Sequence, residues 1–74
     1  MLEKLQKIIS EYADIPADQI TEETNIRTDL GLNSLELVNM AVAIEDEFGV
    51  EIPDREALGL ETVGDVMAVI EKYL

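Results

Sequence analysis

The chain has 74 residues, with 17 acids against 5 bases and neither histidine nor cysteine, for a formal net charge of −12. That length supports one domain, residues 1–74, whose core is too small for a deep catalytic cleft, so an enzyme is not expected. The charge disfavours nucleic acid and anionic lipid and favours basic protein surfaces, while the missing residues exclude disulfides, zinc–thiolate sites, thiol nucleophiles and the commonest general base.

The first predicted element runs from Leu2 to Tyr12. Leu2, Leu5, Ile9 and Tyr12 recur at helical spacing, and Glu3, Lys4, Gln6, Lys7 and Glu11 fall mostly on the opposite face. This amphipathic helix should end before Asp14-Ile15-Pro16, because proline disfavours helix at the residue before it. The opening Met1-Leu2-Glu3-Lys4 leads into charged amphipathic sequence rather than a secretory leader, and no apolar run reaches membrane-spanning length. A cytoplasmic location and no membrane association are therefore expected.

A long connection follows, from Asp14 to Leu32. It is polar, yet Ile15, Ile20, Ile26 and Leu30 recur along it, which predicts a loop pinned to the core rather than a free linker. Pro16-Ala17-Asp18-Gln19 suits a single short turn of helix.

The second helix is predicted over Ser34–Phe48, with Leu37, Met40, Ala41, Ile44 and Phe48 as its apolar stripe. Asn33 followed by Glu36 three residues later resembles a capping box, and Gly49 is a standard stop. Val50-Glu51-Ile52 should be extended up to Pro53. Asp54–Leu58 reads as a short helix capped by Asp54 and stopped at Gly59. A last helix is predicted over Val63–Tyr73, capped by Thr62 with Asp65 three residues on, and Val63, Val66, Met67, Ile70 and Leu74 form its apolar stripe. Three aromatic residues in the whole chain make the core aliphatic. The expected fold is all-α: a four-helix bundle of three main helices and one short one, with a long first loop.

Ser34 stands where the long loop becomes the second helix. With Asn33 as cap, its hydroxyl lies beside unpaired backbone N–H groups at the positive end of the helix dipole. A phosphodiester there would be electrostatically favoured; the alternative is an ordinary helix start, where serine is common. A catalytic serine is disfavoured, since no histidine can complete a triad and Lys4, Lys7 and Lys72 fall on charged helix faces. No catalytic residue is assigned.

The run Asp29-Leu30-Gly31-Leu32-Asn33-Ser34-Leu35-Glu36-Leu37 resembles the attachment motif of acyl carrier proteins, in which Asp-Ser-Leu follows Asp-Leu-Gly. The resemblance continues through Ala43-Ile44-Glu45-Asp46-Glu47-Phe48-Gly49-Val50-Glu51-Ile52-Pro53-Asp54 and resumes at Thr62-Val63, so it covers nearly the whole chain in order. It implies an acyl-carrier-protein-like bundle and a cytoplasmic shuttle. It also implies that Ser34 receives 4′-phosphopantetheine from coenzyme A through a holo-acyl-carrier-protein synthase or related phosphopantetheinyl transferase. The thiol of that arm carries acyl chains as thioesters. The sequence departs from the family at Asn33, where aspartate is usual, and at Asn39, where glutamate is common. Asparagine caps a helix as well as aspartate, so the first change removes a charge beside the serine without disturbing the fold.

By the same resemblance, the acidic second helix is a docking surface for acyl-transfer, condensing and reducing enzymes with basic patches. The residues that correspond are Asn33, Leu35, Glu36, Val42, Glu45, Asp46, Glu47 and Glu51; the plain reading of the acids is a solvated face, and of Leu35 and Val42 core. The acyl chain of many carriers shelters between the second and third helices, which here gives Ile26, Ile44, Ile52, Ala57 and Leu60. From spacing alone these five are simply core. A monomer is expected.

Three other readings compete. An unmodified acidic adaptor for basic partners accounts for the charge and helices but not for the serine. A calcium loop, suggested by Asp29, Gly31 and Asn33, lacks its closing glutamate because Met40 stands there, so no metal site is expected. Within the carrier class, the short chain with Asp-Leu-Gly-Leu-Asn-Ser-Leu looks closest to the carriers of dissociated fatty acid synthesis, with a polyketide or other specialised carrier as the alternative. Peptidyl carriers tend to have Gly-Gly-x-Ser-Leu, which Gly31-Leu32-Asn33-Ser34-Leu35 does not match.

Overall fold

A computed structural model describes residues 1–74. The chain forms four α-helices: α1 (Leu2–Tyr12), α2 (Ser34–Phe48), α3 (Asp54–Ala57) and α4 (Val63–Tyr73), with one 3₁₀ turn at Ala17–Gln19. It contains no strand; a single antiparallel bridge joins Asn25 to Thr62. The all-α bundle expected from periodicity is the observed architecture.

The core is wholly apolar. Eleven buried residues form one cluster: Leu5 and Ile9 from α1, Met40 and Ile44 from α2, Val63, Val66 and Ile70 from α4, and Ala13, Ile20, Ile26 and Leu30 from the long connection. That connection is therefore a wall of the core. Fully burying an aliphatic side chain contributes about 1.5–3 kcal/mol, enough to offset the ordering of its neighbours. Ile15 is half-buried against the same cluster. The connection is also tied by its backbone. Ile26 N–H donates to Glu61 O at 2.8 Å, and the first two N–H groups of α4, from Val63 and Gly64, donate to Thr24 O and Glu22 O at 3.0 and 2.8 Å. The start of α4 thus finds its missing acceptors on the loop.

Helix ends follow local chemistry. Thr62 and Asp65 form a full capping box at α4. Gly49 ends α2 in the left-handed region, φ +67°, and Val50 N–H closes back on Glu45 O. Nothing crowds a Cβ at Gly49, so the backbone angle alone favours glycine there.

Several expectations need correction. Tyr12 belongs to the helical stripe of α1 but is exposed; Ala13, just past the helix end, takes the buried place. Leu74 lies beyond the last turn of α4 and is exposed. The short helix stops at Ala57 rather than Leu58, and Asp54 does not cap it. Pro53 occupies the cap position, and its carbonyl accepts from Glu56 and Ala57 N–H at 2.9 and 3.0 Å, so no side-chain cap is required. No residue of α3 is buried.

Candidate functional site

The chain reaches the start of α2 through a rigid turn. Asn25 Oδ1 accepts from the N–H groups of Arg27 and Thr28 at 2.8 and 3.0 Å, and Asp29 Oδ2 accepts from Asn25 N–H at 2.8 Å. Buried Leu30 anchors the next step, and Gly31, at φ +65°, redirects the chain. Asn33 then adopts the extended cap conformation. Its Oδ1 accepts from Glu36 N–H at 2.8 Å, and Glu36 Oε1 accepts from Asn33 N–H at 3.1 Å, a complete capping box.

Ser34 follows as the first residue of α2, with its side chain exposed. Of the four first-turn donors, Glu36 N–H goes to the Asn33 side chain and Leu37 N–H to Asn33 O at 3.0 Å. The N–H groups of Ser34 and Leu35 have no acceptor within the chain. The hydroxyl therefore sits beside two open donors at the electropositive end of a 15-residue helix. An anion esterified at this oxygen meets attraction and no steric barrier.

Ser34 also stands at the rim of a half-open apolar groove of about 460 Å³ between α2 and α3. All five residues singled out for an acyl pocket line it: Ile26, Ile44, Ile52, Ala57 and Leu60. Ile26 and Ile44 belong to the buried core as well, whereas Ile52, Ala57 and Leu60 are half-buried. Leu37, Val38, Met40 and Leu58 complete much of the apolar lining, and Arg27 and Asp54 are its only charged members.

The residues singled out for docking do not form one patch. Leu35, Val38, Val42 and Asp46 share one exposed row at helical spacing, with Leu35, Val38 and Val42 at 69%, 58% and 49% exposure. Val38 was missed by sequence reasoning, although the spacing from Leu35 and to Val42 was there to read. Glu47 is exposed but lies about 100° around the helix from Asp46. Glu36 and Glu45 are half-buried and structurally engaged, Glu36 in the capping box and Glu45 through Oε2, which accepts from Ile52 N–H at 2.7 Å. Asn33 and Glu51 are exposed. Of the residues that suggested a calcium loop, Asp29 accepts from Asn25 N–H and Asn33 from Glu36 N–H.

Known proteins resemble the chain over most of its length. A family profile described as "Phosphopantetheine attachment site" matches residues 3–70. The chain is 45% identical over 67 residues to an acyl carrier protein of Saccharopolyspora erythraea, covering 90% of this chain and 70% of that relative. An acyl carrier protein from Enterococcus faecalis, of known structure, superposes with a TM-score of 0.84 at 42% identity, over 99% of this chain and 92% of that one.

Proposed function

The chain belongs to the acyl carrier proteins, the family whose members bear 4′-phosphopantetheine, and from that membership we propose that Ser34 holds the arm and that the cargo is an acyl intermediate of fatty acid synthesis. When bound, the arm supplies a thiol that holds acyl groups as thioesters, which this cysteine-free chain cannot supply itself.

One observation carries the assignment of Ser34: an exposed hydroxyl on the first residue of α2, beside two backbone N–H groups without acceptors. The residues fit the group. Asn33 and Glu36 fix the helix start, so the backbone that carries the hydroxyl is held in place. The Ser34 and Leu35 N–H groups are free to receive phosphate oxygens, and Gly31 leaves the approach open, with nothing within 4 Å of where a Cβ would stand. The groove at the rim of Ser34 offers an apolar shelter for an acyl chain, and burying each methylene would contribute about 0.8 kcal/mol.

The exposed row Leu35, Val38, Val42 and Asp46 is the docking face in this reading, with Asp46 and the net charge of −12 steering basic partners. These partners are the phosphopantetheinyl transferase and the enzymes that load, extend and reduce the acyl chain. Such steering gives fast, salt-sensitive association, which suits a shuttle. Fatty acid synthesis is favoured by the similarity of Asp29–Leu35 to the motif of carriers from dissociated synthesis.

The deciding experiment is intact mass of the protein produced with an active transferase. One phosphopantetheine adduct is expected, absent in Ser34→Ala. An adduct that persists in Ser34→Ala would refute the assignment, and the mass of the group carried in native cells identifies the cargo.

A further inference from the structure

α3 has four residues and buries none of them. A helix this short does not sustain itself in water, so its position depends on what ties it down. Two polar tethers do so. On one side, Glu56 accepts from Lys72 Nζ at 2.8 Å and from the Tyr73 hydroxyl, both at the end of α4. On the other, Arg27 donates from Nε to Leu60 O at 2.9 Å and from Nη2 to Leu58 O at 2.6 Å, gripping the turn by which the chain leaves α3.

The second tether bears on the groove. Arg27, Ala57, Leu58 and Leu60 all line it. Leu58 is 76% exposed, and within this wall only Leu60 packs against the core cluster, so apolar contact holds it weakly. Arg27 is mounted on a fixed frame: its own N–H is held by Asn25, and its neighbour Ile26 is buried and bonded to Glu61 O. Its guanidinium pairs with no carboxylate, since Lys72–Glu56 is the one ion pair in the protein. What it offers is a planar fork that reaches two carbonyls at once, which a lysine ammonium cannot reproduce.

We propose that Arg27 is the latch of a movable wall, and that its grip on Leu58 O and Leu60 O sets whether a cargo in the groove is held or exposed. The proposal rests on the reading of the groove as an acyl shelter. The wall comprises α3 and its exit turn; the frame comprises α1, α2, α4 and the pinned loop. Arg27 touches the wall rather than the reacting thioester, and is therefore a positioning residue.

The test compares wild type, Arg27→Ala and Arg27→Lys in two measurements. Hydrogen exchange on the unloaded protein reads the wall directly. The amides of Leu58, Gly59 and Leu60, each bonded within this turn, should exchange about tenfold faster in both variants, equivalent to about 1.4 kcal/mol, while the core amides of α1 and α2 stay unchanged. Hydroxylamine release of acetyl and octanoyl groups from the loaded protein reads the consequence. Octanoyl should be released more slowly than acetyl from wild type, and that difference should vanish in the variants. Should Arg27→Ala fail to fold, Arg27→Lys, which keeps the stem and the charge, carries the same comparison. Unchanged exchange at residues 58–60, or full rescue by lysine, overturns the latch. Equal release of the two groups from wild type overturns the shelter reading instead, and failure to take up the arm at all counts against Ser34; neither touches the exchange result.

Discussion

Replacing Asn33 tests the capping box that starts α2, and the structure sets the size of the effect. Asn33→Ala deletes the Oδ1 acceptor 2.8 Å from Glu36 N–H. It leaves the Asn33 carbonyl, which serves Leu37 N–H, and the N–H that donates to Glu36. One of four first-turn donors thus loses its partner. Because the site is exposed, water replaces part of the loss, so the cost should be about 1 kcal/mol rather than the upper limit of about 2. For a domain of this size, about 1 kcal/mol corresponds to a fall in Tm of about 4–8 °C. Asn33→Asp keeps the acceptor and adds a charge that the helix dipole favours by about 0.3–1 kcal/mol. Glu36 in the same box and the net charge of −12 oppose that gain, so this variant should lie within about 0.5 kcal/mol of wild type. Thermal unfolding followed by circular dichroism measures both. If Asn33→Ala were as stable as wild type, the capping box would not be what fixes the start of α2, and the account of how Ser34 is presented would fail.

Acid and alkali should both weaken the Glu56 tether, acid through Glu56 and alkali through Lys72 and Tyr73. Lys72, and then Tyr73, hold Glu56 below the ordinary carboxylate range by hydrogen bonding, and the backbone N–H groups of Thr62 and Glu61 do the same for Asp65. A depressed carboxyl stabilises the fold above its unfolded pKa and loses that contribution as pH falls through the folded value. Acidification below about pH 4 should therefore lower the Tm of Glu56→Gln and Asp65→Asn less than that of wild type. Lys72 and Tyr73 are raised, each chiefly by its hydrogen bond to Glu56. Their contribution is complete below their ordinary values and lost as pH rises through the folded ones, so the gap between wild type and Glu56→Gln should also narrow above about pH 10. For docking, Asp46→Lys should slow association with the transferase by about tenfold at low salt, and Glu47→Lys by less, because only Asp46 lies in the exposed row with Val38 and Val42. Stopped-flow measurement should find the difference largely gone near 1 M salt, and equal effects of the two substitutions would contradict the row.

The main helices were legible because their signals are local. Asn33 with Glu36, Thr62 with Asp65, and Gly49 each mark a boundary within a few residues, and each stands where the structure ends or begins a helix. Ile20, Ile26 and Leu30 also announced a loop packed into the core. The contacts that tie that loop to the rest were not legible. Arg27 reaches carbonyls 31 and 33 residues away, and no periodicity marks an arginine that will bind backbone oxygens. Asp54 was misread as a cap because an aspartate before a short polar run has the usual signature, while the carbonyl of Pro53 did the work. At the site, Ser34 could be placed at a helix start by its neighbours, but a serine in that position is ordinary; the long match to a known motif made it a candidate. Val38 falls outside the apolar stripe of the second helix and was not named with Leu35 and Val42, although it lies three residues after the first and four before the second.

The absence of cysteine permits a direct test of the central claim. Before modification the denatured chain has no thiol to titrate. After incubation with coenzyme A and a transferase, and removal of free coenzyme A, the account predicts one thiol per wild-type chain and none in Ser34→Ala. A wild-type chain that stays thiol-free, or a Ser34→Ala chain that gains one, would contradict it.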